Sequence, residues 1–295
     1  MNWPFFLEVL LGGLLAGVMY SMVAIGFVLI YKASGVLNFA QGAMVFFAAL
    51  VFVGLREKGL SLPVAALLTL AVMVGLAFFV ERFVLRPLVN QPPISLFMST
   101  IGLAFLLEGT AQGVLGAQVH ALELGIPDKP FDVGGVFISA FDLFAAATAA
   151  LLVGLLSFVF DRTRTGLRLR AVADDPLAAL AVGVNIEFVW VVAWSAAGIV
   201  ALVAGLLWGA RTGVQFSLSL IVLKALPVLI IGGFSSIAGA VVGGLLVGAS
   251  EKLAEVYVGP LVGGGIENWF PYVLALLFLF HRPYGLFGER TVQRV

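Results

Sequence analysis

The chain lacks cysteine altogether, has two histidines, and carries few charges: of 295 residues only 11% are charged, 16 basic and 16 acidic. Without cysteine there is no disulfide, no thiol nucleophile and no thiolate-held metal centre. His120 and His281 are far apart in the chain, and neither has a glutamate at metalloprotease spacing, so no metal site is expected. No Gly-Lys pair occurs, which removes the phosphate-cradling loop that would let the chain bind ATP in the usual way. Ser235 and Ser236 stand outside any Gly-x-Ser-x-Gly elbow, so no catalytic residue is expected. A formal net charge of zero excludes the concentrated basic surface that nucleic acid requires.

What is present is apolar. Hydrophobic residues make up 62% of the chain and mean hydropathy is +1.14, whereas a water-covered domain needs about 25% charged residues. The class is therefore an all-α, polytopic integral membrane protein. A crossing takes about 20 mostly apolar residues to bridge about 30 Å of hydrocarbon. Candidate spans are residues 7–30, 37–55, 62–80, 94–115, 140–160 and 188–208, then a glycine-interrupted region at 218–249, and a last span at 269–280. Counting the interrupted region as one crossing or two gives eight or nine spans. Residues 1–295 are expected to form a single transmembrane domain.

Basic residues in short loops orient such a chain, because they stay on the cytoplasmic side. With the N-terminus outside, inward loops hold Lys32, Arg82, Arg86, Arg162, Arg164, Arg168 and Arg170, against Arg56, Lys58 and Lys129 outside, seven against three. The tail with Arg282, Arg290 and Arg294 belongs inside as well, and both ends are satisfied by an odd number of crossings. Glu81, Arg82 and Arg86 mark an inner boundary in this reading, and Lys224, within an apolar stretch, is placed to snorkel toward an interface. No span holds the paired carboxylates of a proton or sodium relay.

Two interruptions stand in the two halves. Ser34 to Gly42 breaks the first, and Gly232-Gly233-Phe234-Ser235-Ser236 breaks the second. Backbone released from a helix at membrane depth must be buried in protein or line a cavity, and paired breaks point to a transport pathway. Asn38, Gln41, Gly42, Gly232, Gly233, Ser235 and Ser236 are the candidate pathway residues. Most glycines read as packing positions, with Gly13 and Gly17, and Gly244 and Gly248, at small-xxx-small spacing.

The loop from 161 to 185 is the longest inward one. Asp175 is a helix N-cap, Pro176 suits the first turn and Gly183 the C-cap, so about two turns of helix are punctuated at both ends. Leu177, Leu180, Ala181 and Val184 fall at helical spacing as one apolar stripe. Such a helix suits docking into a groove on another protein, or resting on the bilayer with its arginines at headgroups.

The run from Gly166 through Asp174-Asp175-Pro176 to Gly183-Val184-Asn185 closely resembles the coupling segment of permease subunits of branched-chain amino acid ABC importers. Asn38-Phe39-Ala40-Gln41-Gly42, Ser99 to Leu103, Gly232 to Gly239 and His281 to Gly288 are similar to that family's other landmarks, in the same order and over essentially the whole chain. The resemblance is to the shorter of its two permease types. It implies an inner-membrane channel subunit that moves branched-chain amino acids into the cytoplasm, paired with a second and longer permease. Two cytoplasmic ATPases would supply the ATP site, so this chain needs no cofactor, and a substrate-binding protein would dock outside. Arg168, Arg170, Asp175, Leu177, Leu180, Ala181, Gly183 and Asn185 would then serve ATPase coupling. Relatives for urea, short amides or aromatic acids leave those substrates open, and a self-sufficient secondary transporter is the more distant alternative.

Overall fold

The structure is a computed structural model, and it describes residues 3–88, 91–126 and 129–288. Arg290 and Arg294 of the tail lie outside the described residues.

Each apolar run is helical, as the bilayer demands, since an α-helix satisfies its own backbone donors and acceptors. The order is α1 (Trp3–Ser34), α2 (Gln41–Glu57), α3 (Leu62–Val80), α4 (Pro93–Leu115), strands β1 (Pro130–Val133) and β2 (Val136–Ser139), α5 (Ala140–Arg162), α6 (Arg164–Asp174), α7 (Pro176–Ala181), α8 (Ile186–Thr212), α9 (Ile221–Gly232), α10 (Ile237–Tyr257), α11 (Gly259–Val262) and α12 (Phe270–His281). Six described helices are long and apolar enough to cross a bilayer: Trp3–Ser34, Leu62–Leu88, Ile94–Leu115, Ala140–Arg162, Ile186–Thr212 and Ile237–Tyr257. The 17-residue α2 and two shorter apolar helices, Phe216–Gly232 and Phe270–His281, complete the set. The interrupted region is thus two helices, α9 and α10. The antiparallel β1–β2 hairpin is a small addition to an otherwise helical chain.

The chain divides into two compact units of interleaved segments. One takes in residues 1–24, 125–153 and 223–295, and the other 25–124 and 154–222. In the first unit, α1 and α10 run antiparallel through facing glycines. A Cβ on Gly13 would stand 2.7 Å from the Gly248 carbonyl oxygen, and one on Gly17 would stand 2.5 Å from that of Gly244. Ser21 continues the seam, its hydroxyl donating to the carbonyls of Gly17 at 2.8 Å and Val241 at 3.3 Å. This is the close backbone approach that small-xxx-small spacing permits.

In the second unit, α8 packs on α2 and α3, and α2 on α4. Gly205 of α8 lies against α2, where a Cβ would come 2.5 Å from the Val45 carbonyl. Phe46, Phe52 and Trp194 are fully buried within this unit. The helix begun by α3 continues through a π turn, Glu81–Leu85, and a short 3-10 turn, Arg86–Leu88. Glu81 and Arg86, five residues apart, meet across that wide turn at 3.1 Å.

Candidate functional site

The expected coupling segment is more ordered than an open loop. After α5 ends at Arg162, the Thr163 hydroxyl accepts from the Gly166 amide at 3.2 Å and caps α6. Gly166, Leu169 and Val172 are buried at successive turns. A Cβ at position 166 would collide with the Phe160 carbonyl, so the residue type follows from the close return of α6 onto the end of α5. Arg170 turns the same way, donating to the carbonyls of Phe160 at 3.0 Å and Asp161 at 3.4 Å. A cation there satisfies acceptors that a helix end leaves open and suits its partial negative charge. Arg170 thus holds α6 to α5, while Arg168 faces solvent.

One residue separates α6 from α7. The Asp175 carboxylate accepts from the Ala178 amide at 3.0 Å, the N-cap that the sequence suggests. At the other end Gly183 has φ of +84°. Its amide bonds the Leu180 carbonyl at 3.0 Å, and that of Val184 bonds the Ala179 carbonyl at 2.9 Å, the paired pattern that closes a helix on glycine. Asn185 then caps α8, accepting from Phe188 at 3.0 Å. Of the expected stripe, Leu180 is 53% exposed, Ala181 is exposed and Val184 half-buried. Leu177 lies in α7, with its side chain outside the described residues. Ala179 is the residue turned inward. The helix α7 is thus pinned at both ends with bare aliphatic side chains between.

The first break, between Ser34 and Gln41, is a knot of side chains. Asn38 and Gln41 are fully buried. The Asn38 side-chain Oδ1 accepts from the Ala40 backbone amide at 3.1 Å, and its Nδ2 donates to Gln41 Oε1 at 3.5 Å. Gln41 donates in turn to the Ala197 carbonyl of α8 at 3.4 Å. The Phe39 amide donates to the Thr100 hydroxyl at 3.2 Å. Gly42 lies directly on the Ser219 carbonyl, leaving no space for a side chain.

The second break is made of backbone. Gly232 and Gly239 touch through their main chains, where a Cβ on either would overlap the other. Ser236 caps α10, accepting from Gly239 at 2.9 Å, and Gly233 turns the chain at φ +101°. Ser235 is half-buried beside them. The last carbonyls of α9 are satisfied from the C-terminal turn: Leu286 donates to Ile231 at 2.8 Å and Phe287 to Gly232 at 3.1 Å. The motif ending at Gly288 therefore closes the helix that precedes the Gly-Gly-Phe-Ser-Ser break. Each set of candidate pathway residues is gathered within its own unit, the first around α2 and α8 and the second around α9 and α10.

Residues 9–281 match the family described as the branched-chain amino acid transport system / permease component. The chain belongs to this permease family. Among its relatives are the high-affinity branched-chain amino acid transport system permease protein BraD of Pseudomonas aeruginosa, 27% identical over 98% of each chain. LivH of Escherichia coli K12, with the same description, is 26% identical over 99% of this chain and 98% of its own. A probable branched-chain amino acid transport permease protein LivH of Methanocaldococcus jannaschii is 27% identical over 95% and 92%.

This permease also carries a charged cluster that the sequence reading missed. Lys224 does not snorkel: its ammonium meets the Glu251 carboxylate at 2.7 Å, and the Tyr20 hydroxyl donates to the same oxygen at 3.2 Å. Tyr20 and Glu251 are both buried. Burying the carboxylate inside a span is costly, so a cation from the neighbouring helix offsets it. The only local signal was Glu251 on the glycine-lined face of α10, one turn beyond Val247 and Gly248 and two beyond Gly244.

Proposed function

We propose that this chain is the membrane-spanning subunit of an ATP-driven importer that carries branched-chain amino acids into the cytoplasm. ATP is bound and hydrolysed by two separate cytoplasmic subunits, which dock on the α6–α7 segment. A second, longer permease completes the channel, and a substrate-binding protein delivers the amino acid at the outer face of the inner membrane. The N-terminus lies outside and the C-terminus inside, an orientation supported by the distribution of lysine and arginine and by nine apolar helices of twelve residues or more among those described. Branched-chain amino acids are the substrates named for the relatives, and that is the support for the substrate.

The observation that carries the coupling reading is α7, capped at both ends, with Leu180 presented outward at 53% exposure. ATP can drive transport through it only if the ATPases bind this segment differently in their open and closed states. Arg168, Asp175, Leu177, Leu180, Ala181, Gly183 and Asn185 form or frame the docking element, and Arg170 acts indirectly by fixing α6 on α5. The two breaks are where the helices yield as substrate passes. Asn38, Gln41 and Gly42 govern the first, and Gly232, Gly233, Ser235 and Ser236 the second.

Leu180→Asp tests the reading. Co-purification of the ATPases and uptake of labelled leucine both fall at least tenfold, with the permease still inserted at wild-type level. Undiminished association and uptake contradict the coupling role, and uptake of urea or amides in preference to leucine contradicts the substrate.

A further inference from the structure

At the cytoplasmic end of α3 the second unit forms an open cavity of about 560 Å³. Phe78, Phe79 and Phe83 from the α3 helix and its π turn line it, with Arg82 and Arg86, and Glu187 and Phe188 come from the first turn of α8. Both helices are spans that end here, one running to Leu88 and the other starting at Ile186, so the cavity lies at headgroup depth.

Its charges are unequally engaged. Arg86 is held between Glu81 and Glu187. Arg82 is exposed and has no hydrogen-bond or ion-pair partner among the described residues. Its position on the helix adds a second observation. The buried face of α3 is Ala65, Thr69, Met73, Ala77 and Val80. The adjoining face, Val64, Leu68, Val72, Gly75 and Phe79, is apolar and bare along its length and runs into Arg82. From Arg82 back to Val72 is ten residues, about 15 Å of helix, which matches one leaflet of a hydrocarbon core of about 30 Å.

We infer that this cavity is a binding site for a single phospholipid of the cytoplasmic leaflet. Its phosphodiester sits on the Arg82 guanidinium, which offers the planar pair of donors that a phosphate takes. An acyl chain runs over Phe83 and Phe79 toward Val72. The leaflet follows from the orientation proposed above, whereas the site itself does not. Arg86 is engaged by two glutamates, which leaves Arg82 as the unpaired guanidinium of a lining whose two arginines and two glutamates carry no net charge. Headgroup chemistry beyond the phosphate is therefore of little consequence.

The test is native mass spectrometry of the whole transporter in detergent, offered phosphatidylglycerol, phosphatidylethanolamine or inorganic phosphate. Each copy of the chain retains one phospholipid of either kind, and inorganic phosphate does not displace it. Arg82→Gln lowers occupancy at least fivefold while the complex stays assembled, and Arg82→Lys retains most of it. Should Arg82→Gln fail to assemble, Phe79→Ala with Phe83→Ala, which keeps every charge, gives the same fall. Equal occupancy in wild type and these variants overturns the site. Displacement by inorganic phosphate alone makes it a free-anion site instead. Absence of lipid, with Phe83→Cys crosslinking to the second permease, makes this face a protein contact.

Discussion

The two helix breaks, one in each half of the chain, are opposite in construction. The first is held by side chains: two buried amides bond to each other and to α8, in a unit where Gln41 fills the space left by Gly26. The second has little side-chain chemistry, and is held by main chain lying against main chain and by a C-terminal turn that closes α9. A break tied by amides can loosen by exchanging hydrogen-bond partners, including those a passing solute offers. One made of touching backbones moves only if its helices slide together. In the pathway proposed above, the first is then the chemical part and the second the mechanical part.

This contrast can be broken by substitution. The largest effect is expected at Gly232→Ala, whose methyl overlaps the Gly239 main chain. Overpacking of this kind costs about 1–3 kcal/mol or more, and α9 and α10 would have to part, so folded protein and uptake both fall severely, as measured by membrane yield and leucine transport. Wild-type yield from this variant would mean that the second break is loose.

Gln41→Leu has the next effect, and of another kind. It leaves Asn38 with one partner fewer and removes the side-chain tie to α8, whose Ala197 carbonyl keeps its place in the helix ladder, at a cost of about 0.5–1.5 kcal/mol per bond lost. Uptake kinetics change while ATPase association does not. Unaltered kinetics would remove Gln41 from the pathway. Smallest is Ser236→Ala, which deletes the N-cap of α10 for about 1 kcal/mol. Thermal stability in detergent drops slightly and transport persists, since the glycine contacts remain. Loss of transport there would give Ser236 a chemical role and erase the distinction between the breaks.

Much of this was legible in the chain. Long apolar runs predict the spans because lipid leaves the backbone no alternative, and the short helix α7 follows from Asp175, Pro176 and Gly183, signals read within nine residues. The helix α6 was hidden because its alternation of Leu167, Arg168, Leu169 and Arg170 reads as a basic loop. Only the return onto α5 shows that Gly166, Leu169 and Val172 face inward and that Arg170 meets the Phe160 carbonyl. Lys224 and Glu251 are 27 residues apart on different helices, a pairing that no local pattern announces. The join between the Gly232 break and the C-terminal motif was likewise invisible, because it runs through backbone groups that every residue carries.

The absence of cysteine offers the most direct test of the central claim, that α7 is where this permease receives its driving force. Leu180→Cys makes the sole thiol in the chain, and a thiol-to-amine crosslinker applied to the assembled transporter in native membranes reports what lies against it. The prediction is an adduct with the ATPase whose yield changes when ATP is trapped, and none from Val114→Cys, an 80% exposed position at the opposite end of α4. An adduct confined to lipid amines, or one formed equally from both positions, would contradict the account.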